Sequence, residues 1–242
     1  LFEPLFVKVY HTLPNTPFLC GAQAALISSI LPMNIIFDFG NVLFDLDLPA
    51  FEREMTLLCP GNYAKANAQL LRENVFELYE TGGLSSAEFL AKISEATGVP
   101  APAVEAAWNS IFIGMPAHRF DMLLRLREEH KVFLLSNINE IHAQWISAYM
   151  LREHGYTDYE TPHFDGVYFS HLIRLRKPTR ESFEYVMADA ELRPEDSVFL
   201  DDLPENAAAA SALGIQGHWH EPGTEIQEHL IRLGFLKYDT II

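Results

Sequence analysis

The chain has 242 residues, 49% of them hydrophobic and 21% charged, enough for one large domain or a core with a smaller insert. Its formal net charge of −16 excludes nucleic acid and anionic membrane as partners, because both need a positive face. Two distant cysteines, Cys20 and Cys59, make neither a disulfide framework nor a zinc site, so we expect a reduced, cytoplasmic protein.

Residues 1–32 contain only Glu3 and Lys8 as acidic or basic residues, and Pro17 to Leu31 carry no charge. That run is shorter than a membrane span of about 20 residues. Ala22-Gln23-Ala24 is a faint cleavage-site pattern, but Lys8 lies far before the apolar part. We expect residues 1–32 to be a non-native or disordered extension, with Met33 as the natural start.

Behind Met33 comes "NIIFDFGNVLFDLD", an apolar run that ends in Asp38 and turns at Gly40 and Asn41. A carboxylate at the tip of a buried strand is costly unless it has a task. From about Leu48 to Pro116 the pattern is helical throughout. It holds "AKANAQLLRENVFELYE", "SSAEFLAKISEATG" with Ser85 or Ser86 as cap and Gly98 as stop, and "APAVEAAWNSIF". Trp108 and Phe112 read as its packed interior rather than as a platform for substrate. Beyond it, strand-like runs at Lys131–Asn137, Phe164–Ser170, Asp196–Asp202 and, more weakly, Gly214–Trp219 alternate with helical stretches. Strands alternating with helices imply a parallel sheet covered on both faces. The expected fold is therefore α/β: a Rossmann-like parallel sheet flanked by helices, built from 33–47 and 117–242, plus an all-helical cap over 48–116.

Ligands in such sheets sit beyond the C-terminal strand ends. Those ends offer Asp38, then Ser136 and Asn137, then Asp201 and Asp202, with Lys177 in the loop "RLRKP". Clustered carboxylates repel unless a cation lies among them, and oxygen-only donors favour Mg²⁺. The set suits phosphoryl transfer, with Asp38 as nucleophile, Lys177 and Mg²⁺ drawing charge from phosphoryl oxygens, and the Ser136 hydroxyl donating to phosphate.

In order and spacing, "FDFGNVLFD", "LLSN", "RKP" and "FLDD" resemble the four motifs of the haloacid dehalogenase (HAD) superfamily, over Met33 to Ile242. The helical insert is similar to the type-1 cap of its phosphatase branch, and the motif wording to phosphatases acting on sugar phosphates such as α-glucose 1-phosphate. The resemblance implies a metal bound by Asp38, the Gly40 carbonyl and Asp202, with Asp201 orienting metal-bound water. It implies phosphate contacts from Ser136 and the Asn137 backbone, a Lys177 that holds nucleophile and phosphate, and an Asn206 that braces the acidic loop. Two positions depart from it. Gly40 stands where most such phosphatases carry the acid that protonates the leaving group, and Arg174 stands near a usual glycine.

Asp45 and Asp47 read either as solvated turn residues or, for one of them, as the replacement acid, with Asp45 the first candidate. His218 and His220 read as loop histidines after the last strand, as do His154 and His163 in theirs. The expected activity is Mg²⁺-dependent hydrolysis of a small phosphorylated metabolite by a monomer or homodimer. A haloacid dehalogenase also lacks an acid at position 40, but it works without metal and leaves the Asp201–Asp202 pair unfavourable. A non-catalytic binding protein would show decay at several motif positions.

Overall fold

The computed structural model describes residues 32–237. The expectation for the N-terminal extension, and Cys20 with it, falls outside them. The first strand, β1 (Asn34–Phe37), and a short β2 (Asp45–Leu46) are followed by helices α1 (Pro49–Leu58), α2 (Tyr63–Arg72), α3 (Val75–Glu80), α4 (Ser86–Thr97) and α5 (Ala101–Asn109). The chain returns through β3 (Phe112–Gly114), α6 (Ala117–Glu129), β4 (Lys131–Ser136), α7 (Glu140–His154), α8 (Glu160–His163) and β5 (Gly166–Phe169). It ends with α9 (Ser170–Ile173), α10 (Arg180–Asp189), β6 (Ser197–Asp201), α11 (Pro204–Ser211), β7 (Gln216–Trp219) and α12 (Ile226–Leu233).

Among the described residues, the long strands form a five-stranded sheet ordered β5-β4-β1-β6-β7, with every pairing parallel. The sheet is buried on both faces, which is why β1 reads as an unbroken apolar run. Ile35 and Phe37 join Leu123, Leu126 and Leu230 on one face, while Ile36 points the other way, towards Phe183, Val186 and Ala210. This is the α/β sheet expected from the sequence. Helices α1–α5 have an interior of their own, around Met55, Leu70, Tyr79, Phe89 and Ile93.

Local signals explain most boundaries. Ser85 caps α4 in a reciprocal pair with Glu88, and Gly98 ends it in the left-handed conformation at φ 78°. The long helix expected over residues 64–80 is two helices, because Asn74 takes φ 55° between α2 and α3. Asparagine tolerates that region better than most residues do. Two features escape the sequence reading. The strand β3 pairs antiparallel with β2, Asp45 facing Gly114, but this ladder is too short to show alternation. Helix α7 lies under the helical layer and mixes buried Ile141, Ile146 and Met150 with an exposed Leu151, so its apolar stripe is blurred. The histidine assignment is also corrected, since His218 lies within β7, His220 is fully buried, His154 ends α7, and His163 ends α8 and is buried.

Gly217 in β7 is where α11 crosses the sheet most closely. A Cβ there would lie 2.0 Å from the Ala207 carbonyl oxygen and 2.6 Å from Ser211 Oγ. A Gly217→Ala variant must therefore push α11 outward, at a cost of about 1–3 kcal/mol. Urea denaturation should show a lower midpoint at unchanged slope, and an unchanged midpoint would mean that α11 yields freely.

Candidate active site

Four chain segments meet beyond the C-terminal edge of the sheet. Asp38 follows β1 directly, and its N–H donates to the Leu200 carbonyl at 2.8 Å, which fixes it beside β6. Lys177 is 1% exposed. Its Nζ donates to Asp38 Oδ1 at 2.6 Å and to Asp201 Oδ2 at 2.7 Å. The Asn137 side chain holds the lysine's backbone from both sides: Nδ2 donates to the Lys177 carbonyl and Oδ1 accepts from the Lys177 N–H, each at 2.9 Å. The other Asp201 oxygen accepts from the Leu203 N–H at 2.8 Å and from Asn206 Nδ2 at 2.9 Å. Asp202 Oδ2 accepts from Asn41 Nδ2 at 3.0 Å.

Two carboxylates thus share one ammonium, and Asp202 adds a third. Burial pushes the Asp38 carboxyl up to about 7 against the pull of Lys177, with Asp201 and Asp202 adding to the rise. Burial also raises Asp202, opposed by the Asn41 hydrogen bond. Burial disfavours the charge on Lys177, but Asp38 and Asp201 outweigh it and hold its pKa above the ordinary value. The site is short of positive charge by its own chemistry. Asp38, Asp201 and Asp202 each present an oxygen within 4.8 Å of the others, and no other such cluster occurs among the described residues. Hard oxygen donors in this number fit Mg²⁺.

Asp38, Gly40, Ser136, Asn137, Lys177 and Asp202 line one cavity of about 220 Å³. Asp45 is not brought there. Its carboxylate accepts from Arg119 at 2.7 Å and faces a neighbouring groove. Arg119 is buried, and it also donates to the Leu43 carbonyl and to Glu225. Asp47 is held by Arg53 in a two-point contact at the surface, and that bond holds its carboxyl below the usual range.

Three residues add to what the sequence offered. Asn41, at φ 54°, ties the turn to Asp202 through one end of its amide and accepts from the Leu46 N–H through the other. Glu80, from α3, lines the cavity and pairs with Arg176 at 3.1 Å; burial raises its pKa, with Arg176 opposing. Leu46 packs over Gly40, where a Cβ would lie 2.7 Å from the end of its side chain at Cδ1. Arg174 adopts φ 60°, the left-handed region that favours glycine.

No family model matches the chain. It is 27% identical over 204 residues to D-ribitol-5-phosphate phosphatase of Bacteroides thetaiotaomicron, covering 81% of this chain and 96% of that one. It is 27% identical over 185 residues to a sesquiterpene phosphatase of Aspergillus oryzae, covering 75% and 86% respectively. A HAD family enzyme of Bacteroides thetaiotaomicron, solved with magnesium and inorganic phosphate, superposes with a TM-score of 0.72 at 31% identity over 82% of this chain and 98% of that one. With a close structural relative of that kind and an acidic site suited to the same cation, the chain belongs to the haloacid dehalogenase family and is a Mg²⁺-dependent phosphatase within it.

Proposed function

We propose that the chain hydrolyses small phosphomonoesters through an aspartyl-phosphate on Asp38, under a cap made by α1–α5. The observation that carries this reading is a buried lysine bonded at once to Asp38 and Asp201. Lys177 keeps the nucleophile's carboxylate in place and offers positive charge to an incoming phosphate. Ser136 and the Asn137 backbone take phosphate oxygens from the side opposite the acidic loop. Asp201 has every oxygen engaged by Lys177, Leu203 and Asn206, so it suits orienting a metal-bound water. Asp38, Asp202 and the Gly40 carbonyl would hold the Mg²⁺ directly. When bound, Mg²⁺ neutralises charge on the phosphoryl oxygens.

In the first step an Asp38 oxygen attacks phosphorus and the bond to the alcohol oxygen breaks. In the second, water attacks the same phosphorus and releases inorganic phosphate and free Asp38. The alcohol oxygen needs a proton that Gly40 cannot supply. Asp45 was the sequence's candidate, but it is engaged by Arg119 outside this cavity. Glu80 lines the cavity itself, and burial raises its pKa against the pull of Arg176, so we assign it the leaving-group proton. The resulting carboxylate can take the proton of the second-step water.

A dehalogenase reading fits less well, because a metal-free site would leave Asp38, Asp201 and Asp202 with the single Lys177 ammonium between them. The sugar phosphate expected from the sequence has support from the D-ribitol-5-phosphate relative, while the sesquiterpene relative carries a very different alcohol. A cytoplasmic location remains the expectation from cysteine usage. No helix among the described residues is long and apolar enough to cross a membrane.

Phosphate release from a panel of phosphomonoesters tests the core reading. We expect turnover with Mg²⁺, loss of it with EDTA, and a fall of about 10³-fold or more in Asp38→Asn. Full turnover by that variant would remove the nucleophile assignment. Glu80→Gln should cost about 10²-fold on alkyl phosphates and much less on p-nitrophenyl phosphate, whose leaving group needs no proton. Equal losses on both would show that Glu80 does not donate it. Mg²⁺ should also raise the melting temperature, by about 2.7 kcal/mol of stability at a hundredfold excess over Kd. In Asp202→Asn that shift should at least halve, and a full shift would remove Asp202 as a ligand.

A further inference from the structure

The cavity that holds Asp38 continues into a second one, also of about 220 Å³, sharing Gly40, Leu46, Leu48, Glu80, Ser136 and Asn137 as walls. The far end of this second cavity is bounded by Phe39, Phe44, Phe51, Trp108, Ile111 and Phe112. It lies on the side of the phosphate site towards α1–α5, where an ester's alcohol would extend.

Polar side chains do reach this end, but they are engaged with one another. The Trp108 indole N–H donates to Asn139 Oδ1 at 3.3 Å, and the His142 backbone N–H donates to the same oxygen at 3.1 Å. Asn139 Nδ2 donates to His142 Nδ1 at 3.1 Å. His142 Nε2 donates to the Trp108 carbonyl at 3.0 Å. Burial holds the ring neutral, with its pKa down at about 4, despite that carbonyl. Both ring nitrogens of His142 and the Asn139 oxygen are therefore taken, and Asn139 itself is buried. A hydroxyl entering here would give up water without finding a ready partner, at a cost of about tenfold or more in affinity. A polyol would carry several. A hydrocarbon meets aromatic faces and edges instead.

We propose that the leaving group is apolar: the chain hydrolyses monophosphates of small apolar alcohols, with the hydrocarbon in the aromatic end and the phosphate between Asp38, Lys177 and Ser136. This rests on the phosphatase reading above. An apolar cavity of about 150 Å³ holds a benzene, so a cavity of about 220 Å³ suits one ring or a short branched chain. Glu80, which walls both cavities, then stands beside the bond that breaks, at the border between the wet and the dry end.

Binding and turnover test this separately. Calorimetry with benzylphosphonate and methylphosphonate, in the presence of Mg²⁺, reads the hydrocarbon's contribution without any chemistry. We expect the benzyl compound to bind at least tenfold tighter, and equal affinities would overturn the proposal. Hydrolysis of benzyl phosphate should exceed that of D-ribitol 5-phosphate and glucose 1-phosphate by at least tenfold in kcat/KM. Equal or faster turnover of the polyol phosphates would overturn the apolar class and leave the phosphatase reading intact. No phosphate release from any ester would overturn both. Leu48→Gln changes a wall residue that is 55% exposed, so folding is not at risk. It should weaken benzylphosphonate several-fold more than methylphosphonate. Equal changes for the two would place the ring elsewhere and overturn the proposal.

Discussion

One buried ammonium organises this molecule's working end. Lys177 is sealed from water and bonded to carboxylates from two different strands. Removing a charge from water is expensive, and the expense is offset only when partners are close and well aligned. The lysine therefore forces the tips of β1 and β6 into one geometry, and Asn137 forces the tip of β4 to follow by clasping the lysine's own peptide groups. Three neighbouring strands and one loop are registered by a single side chain. The surplus of carboxylate over ammonium is what makes the site receptive to a divalent cation and, through it, to phosphate.

The sheet was legible because a strand buried on both faces has a plain signature: "IIF", "VFLL" and "VFL" are continuous apolar runs that stop at a polar residue. The residues at those stops could be named without coordinates, since parallel topology sends every C-terminal end to the same edge. Asp38, Ser136, Asn137, Asp201 and Asp202 were nominated that way, and Lys177 from the loop that precedes a helix. What could not be read was anything that depends on a side chain's choice between partners. Asp45 and Asp47 look alike in sequence, and both turn out to be claimed by arginines, Arg119 from α6 and Arg53 from α1. Glu80 was hidden in a helix whose acidic residues are mostly solvated, and only the packing of α3 against the Lys177 loop singles it out. The β2–β3 ladder and α7 were missed for want of periodicity.

The crevice has two sides of different origin. Its charged wall comes from strand ends, and its aromatic wall comes from α1, α5, β3 and the turn after β1. The polar contacts across the seam include Arg176 to Glu77 and Glu80, Trp108 to Asn139, His142 to the Trp108 carbonyl, Ser86 to Glu140, Ser170 to the Glu80 carbonyl, and the Ile141 N–H to the Tyr79 hydroxyl. Such a division lets the aromatic wall vary while the strand-end chemistry stays fixed.

The contact between Gly40 and Leu46 couples two positions six residues apart. The space a side chain at 40 would need is the space Leu46 fills, and Leu46 in turn walls both cavities. A side chain at 40 therefore displaces the end of Leu46, and any movement of Leu46 reshapes the wall that both ends of the crevice share. The position where a built-in acid would stand and the wall that shapes the crevice thus meet at one point in the fold.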